Sequence, residues 1–348
     1  MNNCNFIKIV LRKIPFKVIL FLIFIILLGC SKIDNNLEIS NHDFAIYLLK
    51  DPNLKISDIL TFELVNQDSL SLAEIELQQY PWLTENDIQM YDFSSHLLYL
   101  KHSKYDYLPE PVQLDVPSSW YNKPFMVVAG GLRRYVGIFR GFYAEDAWSV
   151  PVIDCSYNFL YPEDLLVISW QWFNHDDTDN RNDSVVMEAL NKASILHSGL
   201  NLKLKNIGFP ENSDTATVEY TFTLINYDVD DLYILDPEKM GSGLFHYYNI
   251  GPQFVKSDGL GVRTASFHKP VIPQPSGTWN PDWFIKLNSG DSITRTVSLR
   301  GYPFFPSGIY YCETTYQCIK KIPKTQRTLS DGRYWIGPTK SNLITIQF

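Results

Sequence analysis

Hydrophobic and polar positions mark out most elements of the chain. The first apolar block, 18–31, is uncharged, preceded by Lys8, Arg12, Lys13 and Lys17 and closed by Lys32. Its 14 residues fall short of the roughly 20 needed to cross ~30 Å of hydrocarbon, and suit the apolar region of a signal peptide. Beyond a tether ending near Asn41, "HDFAIYLLKD" is an apolar run suited to a buried strand. A helical or irregular stretch follows through "SLSLAEIELQQY". In "WLTENDIQMYDFSSHLLYLK", Thr84 with Asp87 three positions on predicts a short capped helix, then a strand at 96–101. The clearest local pattern is "KPFMVVAGGLRRYVGIFRG", where β-rich runs at Pro124–Ala129 and 133–139 flank Gly-Gly and predict a hairpin. "VPVIDC" and "EDLLVISWQWF" add strands, and "NDSVVMEALNKASIL" has helical periodicity with Asp183 or Ser184 as cap.

From "LNLKLKNIGF" onward the period changes to two. "ATVEYTFTLINYD" alternates, "LNSGDSITRTVSL" places a turn before a strand, "GIYYCETTYQC" reads as one strand, and "SNLITIQF" closes the chain. Short strands separated by Gly, Pro, Asn and Asp clusters predict an antiparallel sandwich. The pattern thus predicts an α+β domain over 42–197 and an all-β domain over 198–348.

Charge and cysteine content narrow the setting. Loss of residues 1–29 removes four basic and no acidic side chains, so 30 basic and 38 acidic residues become 26 and 38, a formal charge of −12. Such a surface has no electrostatic footprint for nucleic acid, whose affinity rests on Lys and Arg at phosphates. The 21 Tyr, 21 Phe and 8 Trp are those of a folded chain. Cys4 and Cys30 lie at the amino-terminal end, leaving Cys155, Cys312 and Cys318. Six strand residues would hold Cys312 and Cys318 about 20 Å apart, beyond disulfide reach. A bridge from Cys155 to either stays open, with buried free thiols favoured.

The end of the apolar block, Leu27-Leu28-Gly29-Cys30, resembles the lipobox of bacterial lipoproteins. The resemblance implies cleavage of residues 1–29 after Gly29, acylation of Cys30, and a lipidated tether over 30–41. Ser31, rather than aspartate, follows the cysteine, which implies the outer membrane. "VEYTFTLINYD", "LNSGDSITRTVSLRGYPFFPSGIYYCETTY" and "WIGPTKSNLITI" are similar to the immunoglobulin-like sandwich of bacterial secreted proteins, with Asn226, Gly290 and Gly308 at turns. A related sandwich occurs in bacterial proteinase inhibitors, but no inhibitory loop carries over. The first half, through "DIQMYDFSSHLLYL" and "KPFMVVAGGLRRYVGIF", resembles a domain of uncharacterised bacterial lipoproteins, which implies no reaction.

No metal-protease, phosphate-loop, Gly-x-Ser-x-Gly or paired Cys-x-x-Cys motif occurs, and no two histidines are four apart. His175 with Asp176 and Asp177, or Cys155 with partners met in space, are the weak catalytic candidates. Asp177, Asp179, Asp183 and Glu188 fit positions 1, 3, 7 and 12 of a calcium loop, but Arg181 and Asn182 stand where a ligand and glycine belong. A helix-capping acidic segment explains them better. Trp170 with Trp172, and Trp279 with Trp283, are candidate platforms for a glycan, with ordinary core packing as the simpler reading. The expectation is therefore a noncatalytic envelope lipoprotein without cofactor, metal or catalytic residue. It would be held at the membrane through Cys30 and present a surface to another envelope protein or a glycan. An envelope hydrolase or a sandwich-type inhibitor is the alternative.

Overall fold

The computed structural model describes residues 41–59, 72–108, 120, 122–140, 150–170, 179–210, 216–257, 262–263 and 279–348. The signal, the cleavage position Gly29–Cys30, the tether, His175–Asp177 and Trp172 lie outside the described residues. The chain divides into two compact units, Met1–Asn41 and His42–Phe348, and every element below belongs to the second.

The fold is largely β. A six-stranded sheet runs in the order Leu83–Thr84, Phe44–Leu48, Pro124–Ala129, Leu132–Arg140, Pro151–Asp154, Ser169–Trp170. Its centre is the expected hairpin, whose turn places Gly130 and Gly131 at φ 57° and 75°. Only glycine adopts two successive positive φ values without steric cost, so the Gly-Gly fixes the register of the strands beside it.

A four-stranded sheet has the order Leu196–His197, Ile88–Asp92, Leu97–Leu100, Leu165–Val167. The Thr84–Asp87 capping box forms as expected, but it starts a single 3-10 turn, Glu85–Asp87, and Ile88–Asp92 then enters a strand. Thr84, Ile88 and Tyr91 are buried, and that burial outweighs the helical start signal.

"LLYL" is buried on both faces for a specific reason. Leu98 and Leu100, with Leu166 and Ile168, join Phe44, Phe125, Val127 and Phe139 in one apolar cluster. Leu97 and Tyr99, with Leu165 and Val167, join a second cluster that includes Leu200, Phe222, Tyr316 and Trp335. Strand alternation therefore lets one sheet serve two cores, one with each face. The helix Ser184–Lys192 closes the first cluster with Val186, Ala189 and Leu190, and is capped by Asp183, whose side chain accepts from Val185 N and Val186 N.

After residue 198, long strands Leu200–Gly208, Ala216–Asn226 and Ser292–Tyr302 form an antiparallel sheet. Two four-stranded sheets and the ladder of Thr315–Gln317 with Pro338–Lys340 complete the unit. The run read as one strand through Cys312 and Cys318 breaks at Thr314 into Ile309–Glu313 and Thr315–Gln317, in different sheets. Tyr310, Cys312, Tyr316 and Cys318 all join one apolar cluster, so the period-two pattern continues across the break and cannot reveal the change of sheet. Two short helices, Pro237–Met240 and Ser242–Tyr248, interrupt the β pattern. Asp236 caps the first with Pro237 at its opening position, a start signal that reads from sequence only once a helix is expected there.

Candidate functional site

The turn after Ala216–Asn226 is built by Asn226, whose Nδ2 donates to Asp230 O (2.8 Å) and Leu287 O (3.0 Å) and whose Oδ1 accepts from Asp228 N (2.9 Å). This amide-locked turn fixes Asp228 in the interior. There Asp228 meets Asp92, from the end of Ile88–Asp92, and Arg333, from Gly332–Tyr334.

Arg333 Nη2 donates to Asp228 Oδ2 at 2.7 Å and to Asp92 Oδ2 at 3.0 Å. Asp92 Oδ1 accepts from Ser94 Oγ (2.6 Å), Ser95 Oγ (3.1 Å) and Ser95 N (3.3 Å). Asp228 Oδ1 accepts from His197 Nδ1 (2.8 Å) and Asp230 N (3.0 Å), and its Oδ2 also takes Gly199 N (3.0 Å). Burial alone would raise the Asp228 carboxyl. The hydrogen bond from His197 and the Arg333 charge outweigh it and hold the group well below the usual carboxylate range. Gly199 is required here: its φ is 70°, and a Cβ would collide with Ser94 Oγ and Asp92 Oδ1.

His197, Asp228 and Asp230 bring one ligand atom each within 4.8 Å of one another, the spacing of a metal site. The donor set does not fit one. Both Asp228 oxygens are already engaged twice, by N–H donors and the Arg333 guanidinium, so this carboxylate is committed to an ion network and has no oxygen left open for a metal.

Beside this network lies a cavity of about 570 Å³. Its wall includes the Phe93–His96 turn, Asp154, Ser169 and Trp170, Asp179, Arg181 and Asn182 at the 3-10 turn, Ser198, Leu200 and Asn201, Tyr227, Thr315 and Pro338 to Lys340. His96 sits at φ 50°, is fully buried, and has Nδ1 3.2 Å from Tyr91 OH. Burial, helped by the Arg181 charge, pushes its pKa down to about 3, so it is neutral at physiological pH. Arg181 spends its guanidinium internally: Nε and Nη2 grip Asp179 at 2.9 and 2.6 Å, and Nη1 donates to Ile168 O at 2.7 Å. Asn201 Oδ1 is buried without a hydrogen-bond partner. Trp170 is half-buried and Tyr227 is 55% exposed at this cavity.

The sequence candidates separate accordingly. Asp179 holds Arg181 and caps Asn180–Asn182, while Asp183 caps the following helix and receives Arg134 Nε at 3.0 Å. These two carboxylates therefore do capping and pairing work, the explanation preferred from sequence; Asp177 lies outside the described residues. Of the tryptophans, Trp170 reaches the cavity. Trp279 packs 5.0 Å from the Tyr334 ring and Trp283 6.2 Å from Tyr248, so both belong to the aromatic packing of the second cluster. Cys155, Cys312 and Cys318 are buried free thiols. Burial pushes Cys155 and Cys318 up to about 12 and Cys312 higher still, which leaves all three protonated and poor nucleophiles.

Sequence reasoning missed Asp92, Asp228, Arg333 and Asn201. Arg333 stands 241 positions from Asp92 and 105 from Asp228, so no local spacing could announce the network. No helix among the described residues is long and apolar enough to cross a membrane. In comparisons with known proteins, no protein-family model and no curated protein matches the sequence.

Proposed function

We propose that this chain is a noncatalytic binding lipoprotein of the bacterial cell envelope. In this reading it is cleaved behind Gly29 and held at the outer membrane through acylated Cys30. It carries an α+β region over 42–197 and an immunoglobulin-like sandwich over 198–348, and takes a saccharide in the 570 Å³ cavity. The largely β fold and the sheet shared between two apolar clusters support a rigid presenting scaffold.

The observation that carries the saccharide is the composition of the cavity wall. Trp170, Tyr227 and Phe93 offer aromatic surface for the apolar face of a sugar ring, and Ser94, Asn182, Asn201, Ser198, Thr315 and Thr339 offer neutral hydrogen-bonding groups. Of the charged lining groups, Arg181 is consumed by Asp179 and a backbone carbonyl and Lys340 is paired with Glu313 at 3.7 Å, which favours a neutral ligand over an ionic one. Binding rather than catalysis is supported by the groups at hand: a neutral His96 that cannot gain a proton near pH 7, and thiols held protonated.

Two experiments test the reading. Full-length protein titrated with envelope oligosaccharides should show quenching of tryptophan fluorescence, and Trp170→Ala or Tyr227→Ala should weaken binding by roughly threefold to tenfold each. A glycan array without a hit would remove the saccharide. Cys30→Ser should free the protein from membranes or leave its precursor uncut, and its normal maturation and anchoring would remove the lipoprotein.

A further inference from the structure

A second cavity, of about 540 Å³, is lined by Tyr99, Asp164, His197, Asp230, Lys324, Arg327 and Arg333 among others. It differs from the first in having buried cationic groups whose hydrogen-bonding capacity is not used up. Arg333 is 5% exposed and Arg327 3% exposed. A guanidinium carries five N–H donors. In Arg333, Nη2 alone serves both Asp92 and Asp228, while Nη1 and Nε have no hydrogen-bond partner. Asp230 Oδ2 is 3.4 Å from that Nε without hydrogen-bond alignment. Arg327 gives Nη2 to Asp164 Oδ1 and keeps Nε unpartnered. Tyr99, 8% exposed, has an unpartnered hydroxyl, and its ring centroid lies 5.9 Å from the Arg327 guanidinium carbon and 6.0 Å from that of Arg333.

Unmade hydrogen bonds on buried groups are costly, most of all on charged ones, and four such atoms, three of them on guanidinium groups, belong to residues that line this one cavity. Every open group is a donor or, for the Tyr99 hydroxyl, can act as one. What would satisfy them is a cluster of acceptor oxygens. Lys324, exposed, adds a third cation to Arg327 and Arg333, but Asp164, Asp230 and the Asp92 and Asp228 carboxylates that hold Arg333 offset that charge, so the unused N–H donors rather than a net positive field select the ligand. Planar guanidinium forks match carboxylate and phosphate oxygens in particular.

We propose that this cavity is a binding site for a small oxyanion, carboxylate or phosphate, gripped by the free N–H groups of Arg327 and Arg333 and by Tyr99 OH. It is separate from the saccharide cavity and does not depend on it. The Asp92 and Asp228 carboxylates behind Arg333 are the positioning groups that hold its guanidinium with Nη1 and Nε left open.

Calorimetric titration of the full-length chain, in chloride buffer and detergent, separates the possible sources. Sodium acetate and citrate form one arm, inorganic phosphate the other, and acetamide is the neutral control. Saturable binding in either anionic arm is expected, and the stronger arm identifies the oxyanion class. Tyr99→Phe removes one hydroxyl without unpairing any carboxylate, so it should fold as well as the parent yet bind about tenfold more weakly. Lys324→Gln, at an exposed position, should lower affinity about twofold to threefold and flatten its salt dependence. No heat in either anionic arm, acetamide binding as tightly as acetate, or undiminished affinity in Tyr99→Phe would each overturn the proposal.

Discussion

The two cavities share a boundary in the carboxylate of Asp92. One oxygen accepts from Ser94 and Ser95, which line the first cavity, and the other accepts from Arg333, which lines the second. Each cavity also contains a buried or half-buried arginine, and the two are used in opposite ways. Arg181 is gripped twice by a single carboxylate and again by a carbonyl, so its charge is spent on holding a turn in place. Arg333 gives hydrogen bonds to two carboxylates through one nitrogen, and its Nε, 3.4 Å from Asp230, and its Nη1 make none. The difference teaches that a buried cation's role depends on how many of its donors the fold consumes. A saturated arginine is a structural clamp; an unsaturated one is a site.

Substitutions at these two arginines should separate most sharply. Arg333→Met leaves Asp92 and Asp228 buried without their cation and should cost about 3–5 kcal/mol in denaturant unfolding. Arg181→Met should cost less, about 1–3 kcal/mol, because Asp179, its side chain 24% exposed, can recover water. Equal losses would erase the contrast between clamp and site.

Acid should expose the same network. Asp228 has its folded pKa depressed below the ordinary value of 3.8, so its stabilising contribution is full above that value and fades as pH falls through the folded pKa. Unfolding free energy should therefore decline below about pH 4, and Asp228→Asn should be less stable at pH 7 while showing a shallower decline. A parallel decline in the variant would place the acid sensitivity elsewhere.

Smaller effects are expected away from the two arginines. Asp183→Ala removes the cap of Ser184–Lys192 and the partner of Arg134, for about 1–2 kcal/mol by thermal unfolding. Tyr99→Phe gives the smallest change: removal of an unpartnered buried hydroxyl should leave stability unchanged or raise it by a few tenths of a kcal/mol. A large loss would mean that the hydroxyl is bonded in solution and not open to a ligand.

Local signals were legible where one short segment contains the whole cause. The Pro124–Ala129 hairpin, the Asp183 cap and the Thr84–Asp87 capping box each depend on residues within a few positions, and each forms. The run through Cys312 and Cys318 was misread because alternation reports only that a strand has two faces, not which sheet it joins. Trp170 and Trp279 looked equivalent, and only packing places one at a cavity and the other against Tyr334.

By itself, then, the sequence determined the β-rich character, the turns and caps and the acidic balance, because each follows from neighbouring residues or from composition. Tertiary structure alone decided which charges meet. Asp92, Asp228 and Arg333 come from three distant strand ends and turns, and the count of used and unused donors around them exists only once the chain has folded. Coulomb and hydrogen-bond energies depend on distance in space, and a separation of 241 positions along the chain carries no trace of it.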